Sequence, residues 1–574
     1  MDRARFNQPG TILWLAKYLS YFRHRRGYEM LGHDVVARAL VDHGVDTVFG
    51  VLGDGNLFIG ENLQREHDVT FIGATHEANA VCMAEGWAKA TGRLGVATVT
   101  HGPGLTNTIT ALVEGVKNET PMLLVAGDTP IENEQHLQNL DQHALVVATG
   151  AGFQAVRNVE TIAEDVSSAV RRAHAERRPI VLNIPLNIEW DEVEYQPRPA
   201  LNTPPVRLAP DPDQLESALG IIASSARPII LAGRGAVASG AREVLIQLGD
   251  VLGAPLATSV LGTGFFSDQP FNLGIHGTLS HEVAGETLAM ADCLIVFGAS
   301  LNFFTTDYQS LLAGKRVVHV NLDPSHIDRH AIVDSGVVGD ARVVAEAMIQ
   351  LLAEAEHQPS SFRTADLEKK LREFDPANTY EDKSYDGAVD PRTLTRQLDA
   401  GLPQDRQVVV DAGRFMLDAL TMSVPQPRDL VTSHGFGAIG LGMSTAIGAA
   451  VADPTRPTVL CIGDGGYMMG GLTELSTAVH LGLDLIVVVY NDGSYGAEHI
   501  QLVAKGMDPT ASLHDWPDFC AVATSMGCDT AKITSLDEID AALEVVKNRE
   551  AGKPVLIEAC TDADVVSTIY GHHR

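Results

Sequence analysis

Residues 458–496 read TVLCIGDGGYMMGGLTELSTAVHLGLDLIVVVYNDGSYG. Two apolar, β-branched runs, 457–462 and 484–490, each end in a polar turn. Runs this apolar, without polar alternation, are strands covered on both faces, the habit of a parallel sheet. The first run ends in Asp464, set between Gly463 and Gly465; the second ends in Asn491, with 25 residues between Gly465 and Asn491. Neighbouring parallel strands bring their carboxyl ends together, so the carboxylate and the carboxamide converge on one point.

The same rhythm runs along the whole chain. Strand-like runs VDTVFGVL, VTFIGAT, LGVATVT, PMLLVAG and PIVLNI come first, then PIILAG, APLATS, CLIVFGA and RVVHVNLD, then QVVVDAG, TVLCIGD, LDLIVVVYND and PVLIEAC, with helical patterns between them. Two linker-like stretches divide the chain: 195–213 carries six prolines, and 355–391 is polar and charged. The reading is α/β, three doubly wound parallel-sheet domains at 30–194, 212–355 and 385–565, after an N-terminal extension at 1–29. Open sheets of this kind bind ligands at the carboxyl ends of their strands.

Composition narrows the partners. Forty-two basic against 73 acidic residues give a net charge of −31, which argues against nucleic acid and anionic membrane. None of the six cysteines forms a CxxC pair, and Cys293 and Cys461 sit within apolar runs as buried thiols, which suits a reducing, cytoplasmic setting. No apolar run reaches the roughly 18–20 residues that span a bilayer. The stretch LWLAKYLSYFRHRRGYEM ahead of residue 31 is basic and aromatic. It reads as a loosely ordered extension or an upstream start ahead of Met30, with a membrane-surface or targeting helix as the alternative.

Asp464 and Asn491 offer oxygen ligands, which suit Mg²⁺ or Ca²⁺, and one carboxylate favours a Mg²⁺ that is also held by a phosphate. Gly463, Gly465 and Gly466 admit close backbone approach. A helix expected to begin near Tyr467–Met468 would present free N–H groups to an anion. The stretch therefore reads as a Mg²⁺–diphosphate cradle, against the plainer reading of a βαβ turn. A second Gly-Asp-Gly, residues 53–55, also follows a strand, but no Asn closes a second strand there, since Asn79 falls within a helical pattern.

With GDG, 25 residues and Asn in place, the chain resembles the thiamin-diphosphate superfamily of acetolactate synthase, pyruvate oxidase and pyruvate decarboxylase. VFGVLGDGNL at 48–57 and THEANAVCMAEGWAKATGRLGVATVTHGPGLTNT at 75–108 carry the likeness in the first part. LAGRGAVASGA at 231–241 and VNLDPSHID at 320–328 carry it in the second, and GFGAIGLGMSTAIGAA at 435–450 in the third. The resemblance implies a pyrimidine-binding first domain, a central domain and a diphosphate-binding last domain. It makes Asp464, Asn491 and the carbonyl of Gly493 the Mg²⁺ ligands. Gly463, Gly465, Gly466, Tyr495 and Gly496 would line the diphosphate, and Gly413 and Arg414 form the other diphosphate loop. Many relatives carry Ser at position 466. Arg414 is either a phosphate partner or a solvated surface residue. Gly437 and Ile439 belong to GFGAIG, and Ile439 matches the apolar residue that bends the cofactor.

Glu77 matches the cofactor-activating glutamate; taken alone it reads as an acid in the first turn of a helix. Asp54 matches the proton-transfer Asp of the decarboxylase loop G-D-x-N-L, yet the paired histidines of those enzymes are missing from DTPIENEQH at 128–136. His101 in THGPG stands where the synthases have Ser and is a proton shuttle, or a histidine satisfied at a strand end. HLQNLDQH resembles the synthases' F-Q-E-x-D, which nominates Gln138 for substrate contact and, more weakly, His143. The two arginines of the synthases' flavin stretch are replaced by SLNFFTTD at 300–307, so FAD is not expected, and Gly233-x-Gly235 is a weak dinucleotide signal.

The expectation is a thiamin-diphosphate-dependent C–C lyase or carboligase acting on a 2-keto acid or acyloin, with an aldehyde acceptor. The alternative is a simple 2-keto acid decarboxylase. A cofactor-binding regulator and a nicotinamide dehydrogenase fit less well. Relatives imply a homodimer or homotetramer in which Glu77 of one subunit meets Asp464 and Asn491 of another. The tail DVVSTIYGHHR is read as a segment that closes over the site or stays loose.

Overall fold

The computed structural model describes residues 29–198 and 207–566. The basic stretch before residue 29 and the tail from 567 onward lie outside the described residues, and so do the readings made for them.

Three six-stranded parallel sheets build the described chain. The first contains, in chain order, Thr47–Gly50, Thr70–Gly73, Gly95–Val99, Met122–Asp128, Gly152–Ala155 and Pro179–Pro185. Across the sheet these strands lie in the order 2-1-3-4-6-5. The last sheet contains Gln407–Asp411, Leu430–Ser433, Thr458–Gly463, Leu485–Asn491, Asp529–Ile533 and Val555–Cys560, and repeats that order. The middle sheet contains Pro228–Ala232, Leu256–Thr258, Asn272–Ile275, Cys293–Phe297, Arg316–Asn321 and Ser335–Val338 in the order 3-2-1-4-5-6. In the last sheet Thr458–Gly463 and Leu485–Asn491 are hydrogen-bonded neighbours, with Gly463 opposite Tyr490. The tips carrying Asp464 and Asn491 are therefore adjacent.

Side chains alternate between two cores. Leu485, Val487 and Val489 face one apolar cluster, and Ile486, Val488 and Tyr490 the other. The first of these clusters is continuous with the first domain: Phe49, Met83 and Leu124 pack in one body with Val409, Leu460 and Val487. Its centre is a pair of helices, Glu77–Thr91 and Gly442–Ala452, each following the second strand of its own sheet. They cross at two glycines. A Cβ on Gly86 would sit 2.0 Å from the carbonyl oxygen of Thr445, and one on Gly448 1.9 Å from that of Met83. Bare backbone at both positions sets how closely the first and last domains approach.

The middle domain is tied to the first by Arg234. Its guanidinium donates to Glu119, 2.6 Å away, and Glu119 also pairs with Arg177 at 2.8 Å. Gly235 packs on Gly298, where a Cβ would meet Cα at 2.8 Å. Among the described residues no helix is long and apolar enough to cross a membrane.

Candidate active site

One cavity opens at the carboxyl ends of the last sheet. Gly413, Arg414, Ile439, Gly463, Asp464, Gly465, Gly466, Tyr495 and Gly496 line it, joined by Asp492, Ser494 and the segment at Thr561 and Val565. Nine of the residues nominated from sequence thus meet on one surface. Gly437 lies apart, in an exposed turn where its N–H donates to the carbonyl of His434.

The helical turn begins at Asp464 itself, three residues before the expected start. The turn Tyr467–Gly471 is π-helical, and the regular helix resumes at Leu472. Gly465 and Gly466 take helical angles without difficulty, and the widened turn seats Gly470 against the Gly440 carbonyl, where a Cβ would lie 2.1 Å away. A second helix, Gly496–Ala504, also starts at the cavity wall. Two helix N-termini aimed at one space favour an anion.

Asp464 is 3% exposed, and burial together with the neighbouring Asp492 pushes its carboxyl up to about 7. Its oxygens accept from the Gly465 N–H at 2.7 Å and the Trp516 indole N–H at 3.0 Å. Asn491 turns its Oδ1 toward the Gly493 N–H, 3.2 Å away. The Gly493 carbonyl accepts from the His514 N–H at 2.8 Å, which leaves it a second lone pair. Carboxylate, carboxamide oxygen and carbonyl form an all-oxygen donor set, the set a hard divalent cation takes. Bare backbone completes the cradle: a Cβ on Gly465 would be 2.7 Å from the Tyr495 ring. The residues present fit a metal-bound diphosphate.

Gly466 has a further reason to lack a side chain. A Cβ there would meet Asp411 Oδ2 at 2.6 Å. Asp411 is fully buried and accepts from the N–H groups of Gly440 at 2.8 Å and Gly442 at 3.1 Å and from the Ser433 hydroxyl at 3.2 Å. It ties the GFGAIG loop, and with it Ile439, to the tip of the first strand. The other end of that loop is held by the first domain, where buried Glu114 accepts from the Gly435 and Phe436 N–H groups at 2.8 and 2.7 Å.

Sequence leaves Arg414 between phosphate partner and surface residue. Its side chain is 8% exposed, so the surface reading is set aside. The guanidinium donates to Asp492 at 2.6 Å and to the carbonyls of Asp562, Ala563 and Val565. It holds residues 562–565 across the cavity mouth.

The first-domain candidates form a second group and do not line this cavity within one chain. Glu77 opens the helix Glu77–Thr91 and accepts from the Asn107 carboxamide at 2.8 Å. Asn107 ends a short helix, Pro103–Thr106, that begins just after His101. His101 is fully buried, 3.2 Å from the Thr100 hydroxyl, and its ring meets that of His136 edge-on at 5.3 Å. Burial, then His136, lowers its pKa, while Asp54 and Asp128 pull the other way and Gln138 lies alongside. Asp54, His101 and Gln138 therefore do come together. His143 lies apart, exposed against Phe153. His101 and His136 thus meet in space, although no two histidines are neighbours in sequence within 128–136.

Sequence reading missed several residues that shape the site: His136, Asp411, Glu114, Trp516 and Glu474. Glu474 is fully buried and accepts from the Thr75 N–H at 2.7 Å, the Thr75 hydroxyl at 2.6 Å and the Asn79 carboxamide at 2.8 Å. It thereby clasps the start of the Glu77 helix from the last domain. Asp411 had a visible signal, an acid closing the run QVVVD two residues before Gly413. The others owe their partners to distant parts of the chain.

The N-terminal thiamine pyrophosphate enzyme domain matches residues 30–145, the central domain 215–348 and the C-terminal domain 411–559. The chain belongs to the thiamine pyrophosphate enzymes. It is similar to the acetolactate synthase isozyme 3 large subunit of Escherichia coli, 28% identical with 91% of this chain and 93% of that protein covered. The acetolactate synthase large subunit of Haemophilus influenzae is 27% identical over 90% of this chain and 92% of its own length. A Pseudomonas aeruginosa protein, "Probable 2-ketoarginine decarboxylase AruI", is 28% identical over 88% and 90%. The chain is a thiamin-diphosphate-dependent enzyme of the acetolactate synthase-like branch, built on three α/β domains.

Proposed function

We propose that the chain is a carboligase or lyase that makes or breaks a C–C bond next to the carbonyl of a 2-keto acid or acyloin. The observation that carries the reading is the meeting of Asp464 and two helix N-termini on one cavity, with the strand tip that carries Asn491 next to that of Asp464. Asp464, Asn491 and the Gly493 carbonyl would hold Mg²⁺, which would neutralise charge on the diphosphate. The bare backbone of 463–466 and the start of Gly496–Ala504 would bind the phosphate groups, and Ile439 would pack against the cofactor. When bound, thiamin diphosphate supplies a nucleophilic carbon that takes up a keto-acid carbonyl.

The chain's own residues do the rest. Glu77 would meet the pyrimidine ring, positioned by Asn107 on one side and by the Thr75–Glu474 clasp on the other. His101, kept neutral by burial, accepts and returns a proton at the substrate carbonyl, with His136 and Asp54 beside it. Gln138 orients the substrate. Both groups meet only if Glu77 of one subunit faces Asp464 of another, so the active unit is at least a homodimer, and a homotetramer fits the relatives. The domain limits 30–194, 212–355 and 385–565 and a cytoplasmic setting belong to the same reading.

The acetolactate synthase relatives favour ligation over simple decarboxylation. Incubating the enzyme with a panel of 2-keto acids, Mg²⁺ and thiamin diphosphate, with and without aldehyde or keto-acid acceptors, tests the choice. A condensed product that rises with acceptor supports the carboligase. Free aldehyde alone, unaffected by acceptor, moves the reading to the decarboxylase.

A further inference from the structure

A carboxylate sits where a parallel sheet has no ordinary use for one. Glu558 lies within the strand Val555–Cys560, is 2% exposed, and stands opposite Val489 of the neighbouring strand. Burying a charge at such a place is costly unless it is bonded. Glu558 Oε1 accepts from the Asn491 carboxamide nitrogen at 3.0 Å and lies 3.1 Å from the Lys532 ammonium. Its Oε2 accepts at 3.3 Å from the N–H of Cys520, near the start of the helix Phe519–Met526. Lys532, also 3.7 Å from Asp518, occupies the position in which a cation between Asp518, Cys520 and Glu558 would otherwise be sought.

The oxygen and nitrogen of a carboxamide have nearly the same shape, so neighbours decide which way it faces. Resting on the metal-site reading above, we propose that Glu558 is a positioning residue that fixes the face Asn491 shows to the metal. The Glu558 Oε1 accepts from the amide nitrogen and so holds it on the side away from the metal site. The carbonyl oxygen is left pointing back toward Gly493 and Asp464. With the amide reversed, Asn491 would present N–H donors to a cation. Lys532, 3.1 Å from Glu558, cannot replace it, because an ammonium has no lone pair to offer the amide.

Binding of Mn²⁺ as a stand-in for Mg²⁺, followed by loss of the free-ion EPR signal at saturating thiamin diphosphate, tests this without turnover. Glu558→Gln is expected to weaken Mn²⁺ binding about 10–100-fold, the usual cost of losing a partner behind a metal ligand. The swap Asn491→Asp with Glu558→Gln keeps the charge and exchanges donor and acceptor. It should bind Mn²⁺ within about threefold of the wild type. That rescue, which a purely structural role for Glu558 would not produce, also carries the test if Glu558→Gln alone fails to fold. A folded Glu558→Gln that binds like the wild type, or a swap as weak as the single variant, overturns the inference and leaves the site reading standing. A wild type that binds no Mn²⁺ overturns both.

Discussion

The first and last domains share one strand order, 2-1-3-4-6-5, and each carries a Gly-Asp-Gly turn at a strand end, yet the two aspartates live in different worlds. Asp464 follows the third strand of its sheet, is 3% exposed, and sits at the start of a helix beside Asn491. Asp54 follows the first strand of its sheet, is exposed, and stands over His101. Topology alone therefore does not assign a role. The strand that ends in the turn, and what the neighbouring strand brings, decide whether the carboxylate meets the Asn491 strand tip or the surroundings of His101.

Asp464→Asn breaks the comparison on one side. Metal-dependent binding of thiamin diphosphate, followed by tryptophan fluorescence, should fall by more than about 100-fold, beyond the loss typical of an outer partner. Asp54→Asn breaks it on the other side, with binding within about threefold of the wild type and turnover lowered by about 100-fold or more. Equal effects of the two changes on binding would erase the distinction. Next in size is Gly448→Ala, which pushes a methyl into the Met83 carbonyl where the two domains cross. About 3 kcal/mol of unfolding free energy should be lost in urea melts.

The pH dependence of stability sharpens the proton-handling side. A buried imidazole whose pKa lies below the ordinary 6.5 takes up its proton less readily folded than unfolded. Its share of stability is complete above about pH 6.5 and is lost as pH falls toward the folded value. His101→Gln should therefore show a shallower fall in melting temperature between pH 7 and 5 than the wild type. The smallest effect is expected for Trp516→Phe. It removes one indole bond to Asp464 and should shift metal affinity by no more than about fivefold while abolishing most of the fluorescence response.

Much of this was legible from residues alone, and the exceptions share a cause. Every interior strand of the three sheets shows as an apolar run. The unread strands Gly152–Ala155, Asn272–Ile275, Ser335–Val338, Leu430–Ser433 and Asp529–Ile533 all lie at sheet edges. They are short and carry polar residues such as Lys532, and all but Leu430–Ser433 are covered less completely, so the continuous pattern is lost. The metal-side residues stand out because glycines and an acid punctuate a strand end. Two of the residues that hold them, Glu114 and Glu474, look like ordinary surface acids until folding brings their backbone and amide donors from hundreds of positions away, as with Glu474 and Thr75, 399 residues apart. His136 was hidden for the same reason, since its partner His101 comes from another strand end.

The glycine crossing of the two central helices also sets a timetable for synthesis. Roughly 360 residues separate the end of Glu77–Thr91 from the end of Gly442–Ala452. At about 5–20 residues per second the first helix waits on the order of 20–70 s for its partner. During that interval the apolar face around Met83 has nothing of its own chain to cover it. The nascent first domain is thus the stage at which this enzyme most needs a chaperone, and truncation after residue 200 should yield a protein that aggregates.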